Sequence, residues 1–131
     1  MARFTALFFA TAILIGAAQA AVADENIRTC ALTRAFECTP DDGCQESTIS
    51  EMGLPRFVRI DLKNKTITSL DKNISRTTKI AAVERLERIT VLHGVELRGW
   101  SITLGNDSGS FALSASGDDE AFVVFGSCMN P

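Results

Sequence analysis

Four cysteines, one histidine, one tryptophan and a serine set between an aspartate and a glycine are the side chains here whose chemistry reaches beyond packing. Cys30, Cys38, Cys44 and Cys128 suit either a metal site or disulfides. A structural metal site needs thiolates and imidazoles at short, characteristic spacings. No C-x-x-C pair is present, and His93 is the only histidine. Disulfides are therefore expected. Four cysteines allow three pairings, and strand geometry chooses among them. If residues 27–38 form one continuous strand, Cys30 and Cys38 lie about 26 Å apart, whereas a disulfide needs Cα atoms within about 7 Å. Cys38 and Cys44 flank Thr39-Pro40-Asp41-Asp42-Gly43, a tight-turn composition that brings two thiols together. Cys30 is left for Cys128, which ties the first strand to the last.

The remaining candidates are weaker. Asp107-Ser108-Gly109 spells the tripeptide around the nucleophile of chymotrypsin-like proteases, but that chemistry needs two barrels and a histidine and aspartate far upstream. A turn between strands accounts for residues 106–109. His93 is of the residue type that suits a general base; with no identified nucleophile or orienting carboxylate, it reads as a partly buried strand-end residue continuing the face of Ile89 and Val91. Asp118-Asp119-Glu120 and Asp41-Asp42 have calcium-binding residue types without EF-hand spacing. Asn64, Asn73 and Asn106 begin N-x-[ST] tripeptides, which matter only in a glycosylating host. Trp100 is the one side chain suited to anchor a ligand or an interface, but the favoured reading is that it fills a small core beside Ile102 and Leu104. No cofactor motif and no metal site stands out.

The elements that position these residues are strands. Short segments with apolar residues at alternate positions, separated by polar turns every 8 to 12 residues, favour a sandwich or barrel. Val58, Ile60 and Leu62 share one face of residues 56–62, and residues 66–70 pair back across Lys63-Asn64-Lys65. Residues 88–93, 97–104, 109–116 and 121–128 continue the pattern, with Trp100, Ile102 and Leu104 on one face and Phe111, Leu113 and Ala115 on another. Residues 39–54 read as acidic and turn-rich. Residues 77–87 hold good helix formers, yet Thr77-Thr78 and the need for a strand between neighbours favour strand. The expected fold is all-β: a small antiparallel up-and-down barrel or meander of about eight strands, disulfide-tied.

Arg3, the apolar run of residues 4–17 and Ala18-Gln19-Ala20 have the three-part layout of a secretory signal. Residues 1–20 are expected to be removed, with cleavage after Ala23 as the other option, leaving residues 21–131 as a single barrel-like domain. The run is shorter than the ~20 apolar residues of a membrane span. No cysteine stands immediately after either cleavage point, the first being Cys30, so no lipid anchor is expected. The net charge of −3 gives no general attraction to nucleic acid. Ten basic side chains among residues 56–98 are interleaved with five acids, as on the solvated face of a sheet.

Phe36-Glu37-Cys38, Cys44, Leu54-Pro55-Arg56-Phe57, Ile60-Asp61-Leu62, Leu92-His93-Gly94, Gly99-Trp100-Ser101 and Phe125-Gly126-Ser127-Cys128 resemble segments of small exported proteobacterial proteins that carry no assigned activity. The resemblance implies an exported, disulfide-bonded protein and no catalytic residues. A second likeness is to periplasmic inhibitors of c-type lysozyme, small disulfide-tied barrels with a Ser-Gly-x-x-Tyr motif; this sequence contains no tyrosine. The expected function is a non-enzymatic binding module of the periplasm or cell envelope. Its partner would be an envelope protein or small ligand, and the protein a monomer. An inhibitor of a secreted hydrolase and a hydrolase with a site near His93 are the alternatives.

Overall fold

The computed structural model describes residues 24–129, so the proposed signal segment lies outside the described residues. Ten antiparallel strands form one curled sheet: β1 (Ile27–Thr39), β2 (Gly43–Ser47), β3 (Phe57–Asp61), β4 (Thr66–Ser69), β5 (Thr77–Lys79), β6 (Ala82–Arg85), β7 (Ile89–Val95), β8 (Gly99–Gly105), β9 (Ser110–Ser116) and β10 (Ala121–Met129). The all-β expectation holds. The sheet order is β5-β4-β3-β1-β10-β9-β8-β7-β6, with β2 beside β1. Two differences raise the count from eight to ten. Residues 39–54 contain β2, and the segment expected as one strand over 77–87 divides into β5 and β6.

That division is what lets the sheet curl back on itself. β5 pairs with β4 and β6 pairs with β7, at opposite ends of the strand order. Between them the Ile80 N–H donates to the Lys65 carbonyl, and the next residue, Ala81, donates to the His93 carbonyl. Two consecutive N–H groups are thus bonded to opposite ends of the sheet. Arg76, just before β5, adds an ion pair to Glu96 in the turn after β7. Backbone groups that would otherwise form two open edges are drawn together.

β1 has the heaviest duty. Along one edge it pairs with β10 over nearly its full length; along the other it pairs first with β3 and then with β2. The change of partner coincides with a bulge between Leu32 and Arg34, where an extra residue bends the strand. At the bend the Leu32 N–H donates to the Arg56 carbonyl. Gly126 lies opposite, and a Cβ there would stand 2.1 Å from the Ala31 carbonyl oxygen, so the close approach requires glycine.

Both cysteine pairs sit directly across from each other in register, Cys30 with Cys128 and Cys38 with Cys44, and both are bonded. The first bond spans 98 residues of sequence and the second spans 6. Buried residues follow the period of two: Val58, Ile60 and Leu62 face inward, as do Ile102, Leu104 and Phe111. One end of the interior is closed by Asn106. Its side-chain amide donates to the Leu86 and Glu87 carbonyls, and its amide oxygen accepts from Thr90. Among the described residues no helix is long and apolar enough to cross a membrane.

The disulfides differ in expected worth. In the chain-entropy account, the Cys30–Cys128 loop contributes about 4.7 kcal/mol and the Cys38–Cys44 loop about 2 kcal/mol. Replacing Cys30 and Cys128 by serine therefore lowers urea stability by roughly twice as much as replacing Cys38 and Cys44; equal losses would contradict a bond whose main effect is on the unfolded chain.

Three carboxylates are held below their ordinary range. Backbone and side-chain hydrogen bonds from Asn64 lower Asp61, those from Thr48 lower Glu51, and the Arg34 side chain lowers Glu46. A depressed folded pKa means that the stability present above the unfolded value is lost as pH falls through the folded one. The thermal midpoint is expected to fall as pH drops below about 4, and Asp61→Asn flattens that fall while lowering the neutral-pH midpoint.

Candidate functional site

Opposite the end closed by Asn106, the interior opens into a cavity of about 290 Å³. Its wall is built from inward positions of many strands: Leu32 of β1, Val58 of β3, Ile67 of β4, Ile102 of β8, Phe111 and Leu113 of β9, and Val124 of β10. Their shared property is parity. Each occupies the face that strand alternation turns inward. Met52, Leu54 and Pro55 add a further wall from the segment between β2 and β3. That segment is folded locally by Glu51, whose carboxylate accepts from the Thr48 N–H and hydroxyl, and by the Met52 and Leu54 N–H groups, which donate to the Thr48 and Ile49 carbonyls.

The mouth is polar, and its charges are paired. Arg76 bonds to Glu96, which also accepts from the Thr78 hydroxyl. Arg98 pairs with Glu120, and its guanidinium lies 4.6 Å from the centre of the Phe122 ring. These contacts tie the β7–β8 turn to the β4–β5 loop on one side and to the β9–β10 turn on the other. Between the two arginines, Leu97 is 90% exposed at the tip of the β7–β8 turn and also borders the cavity. An apolar interior behind a neutralised polar rim suits a molecule that is mostly apolar.

Trp100 lines this cavity, half-buried, next to Ile102 and Leu104 on the inward face of β8. It stands opposite Gly94 of β7, and the indole lies over that glycine. A Cβ on Gly94 would come within 2.1 Å of Trp100 Cζ2 and 2.4 Å of Cε2. The indole Nε1–H is buried and has no hydrogen-bond partner. Trp100 thus stands where the wall of the cavity is also the edge of the core.

His93 lies elsewhere. It shares a face with Ile89 and Val91, as expected, but that face is the outer one: Thr90, Leu92 and Gly94 are the buried positions of β7. Its side chain is 45% exposed, with Nε2 3.9 Å from Glu84 Oε1, and Ser101 stands opposite it in register. Residues 84, 93 and 101 carry no sequence signal of belonging together; pairing of β6, β7 and β8 assembles them. They sit on the convex outer wall, and His93 does not border the cavity.

Ser108 occupies the β8–β9 turn, with its hydroxyl bonded to Ser110, in accord with a turn reading of residues 106–109. Among the described residues no cluster of three or more histidine, cysteine, aspartate or glutamate side chains is placed to hold a metal ion. Arg76, Glu96 and Arg98 at the mouth were not singled out by sequence reasoning, and Glu120 was weighed there only as part of an acidic run; here it pairs with Arg98. No protein-family model, curated protein or solved structure matches this chain.

Because the indole rests on Gly94, Gly94→Ala displaces it. The expected result is a change in the emission of the sole tryptophan together with a loss of about 1–3 kcal/mol in urea unfolding; unchanged emission would show that the ring does not pack there.

Proposed function

We propose that this chain is an exported, non-enzymatic binding module of the periplasm or cell envelope that takes a small, mostly apolar molecule into the open end of its curled sheet. The observation that carries this reading is the apolar cavity of about 290 Å³, bordered by two ion pairs. Its size falls at the lower end of the range for small-molecule sites, and barrel mouths are a recurring place for them. Two disulfides in a small domain support a life in an oxidising compartment. They also support rigidity at the site, since β1 and β10 both contribute to its wall.

The test uses isopropylbenzene as an apolar probe. At tenfold excess over its dissociation constant, binding to the folded state alone adds about 1.4 kcal/mol, a rise of about 6–10 °C in thermal midpoint. Ala115→Phe, which places a ring in the cavity, is expected to remove that rise while circular dichroism shows the sheet intact. No rise in the parent protein, or the same rise in the variant, would overturn the reading.

A further inference from the structure

We infer that the Cys38–Cys44 bond is a site of thiol–disulfide exchange, and that its partner is a protein dithiol set in a positively charged surface. The inference is independent of the cavity reading.

The two disulfides are placed differently. Cys30 is fully buried in the core and Cys128 packs against it. An attacking thiolate needs access to a sulfur, so that bond is shielded while the fold stands. Cys44 is exposed, as are all residues from Pro40 to Glu46, and Cys38 is half-buried. Exposed disulfides are more easily reduced than shielded structural ones. Among the described residues β2 pairs with β1 alone, so its other backbone edge is open. An open edge accepts an extended segment of another chain, which brings a macromolecular thiol alongside Cys44.

The exchange balances without a further reactant. The incoming thiolate bonds to Cys44 Sγ, the bond to Cys38 breaks, and Cys38 leaves as a thiolate that takes a proton from water. The partner's second thiol then attacks its own sulfur in the mixed disulfide, and Cys44 leaves and is protonated in turn. Two electrons have passed from the partner's dithiol, now a disulfide, to the hairpin, now a dithiol. With the bond open, β2 keeps its backbone ladder to β1 and the exposed Arg34–Glu46 pair.

The sign of the partner's charge follows from the acids around the bond. Glu37, Asp41, Asp42 and Glu46 lie along the hairpin, and the nearest base on β1 or β2, Arg34, is taken by Glu46. Ala121, opposite Cys38, directly follows Asp118-Asp119-Glu120, whose Glu120 is paired with Arg98. The charge left over is negative. It repels an approaching thiolate and disfavours the second anion formed as Cys38 leaves; positive groups beside the attacking sulfur offset both effects.

End-capped peptides Lys-Cys-Lys and Glu-Cys-Glu, at matched thiolate concentration, probe the first step on the oxidised protein. Iodoacetamide trapping and peptide mass mapping locate the free thiol and the adduct. The adduct is expected on Cys44 and the free thiol on Cys38, forming about tenfold faster than any opening of Cys30–Cys128. Lys-Cys-Lys is expected to react about fivefold faster than Glu-Cys-Glu at an ionic strength of about 10 mM and less than about twofold faster at about 1 M, where the Debye length is tenfold shorter. Asp41→Asn combined with Asp42→Asn is expected to narrow the low-salt difference to about twofold with the circular dichroism unchanged. Both disulfides opening together, as global unfolding would cause, or no reaction of the folded protein, would overturn the exchange site. Equal rates for the two peptides at low salt, or a difference untouched by the double variant, would overturn the charged partner.

Discussion

The architecture depends on β1 turning a corner without losing β10. A straight strand of thirteen residues would hold one neighbour on each side; the bulge at Thr33 lets its free edge serve β3 and then β2. The bend is possible because Gly126 admits the Ala31 carbonyl at van der Waals range. Cys30 and Cys128 are bonded two residues from the bend, so the point of greatest irregularity is also a point of covalent restraint. The segment carrying Met52 and Leu54 crosses the gap that opens where β3 and β2 diverge, and so becomes part of the cavity wall.

The interior is divided by polarity. At the closed end the polar groups are consumed internally: Asn106 satisfies three neighbours, and Thr90 is buried because its hydroxyl is bonded. At the open end the charges are matched across turns, and the orphan donor is Trp100 alone among the described buried side chains. Well-paired polar groups specify one arrangement of the loops.

Much of the fold was legible in the sequence because alternation is a direct image of burial. Val58, Ile60 and Leu62, or Trp100, Ile102 and Leu104, are spaced as a half-buried strand must space them. The disulfide pairing was legible because a continuous strand forbids Cys30–Cys38. β2 was not. Gly43-Cys44-Gln45-Glu46 is exposed throughout, so it has no apolar rhythm to read; the hairpin and its disulfide hold it. The split of residues 77–87 depends on which sheet end each half meets, a tertiary fact with no local trace. His93 was placed on the correct face, but the side of the sheet to which that face turned was fixed by Thr90 and Leu92, not by its own neighbours. Trp100 stood out in the sequence as the sole tryptophan, and the structure places it on the cavity wall. The charged mouth was not, since Arg76 and Glu96 are 20 residues apart.

The pairing of β1 with β10 has a temporal consequence. The first strand's longest partnership is with residues some ninety positions downstream, so the sheet stays incomplete until the C-terminal strand has left whatever machinery makes or moves the chain. Non-local topologies of this kind fold slowly. The Cys30–Cys128 bond therefore closes late, whereas Cys38–Cys44 needs only its own hairpin and can close early.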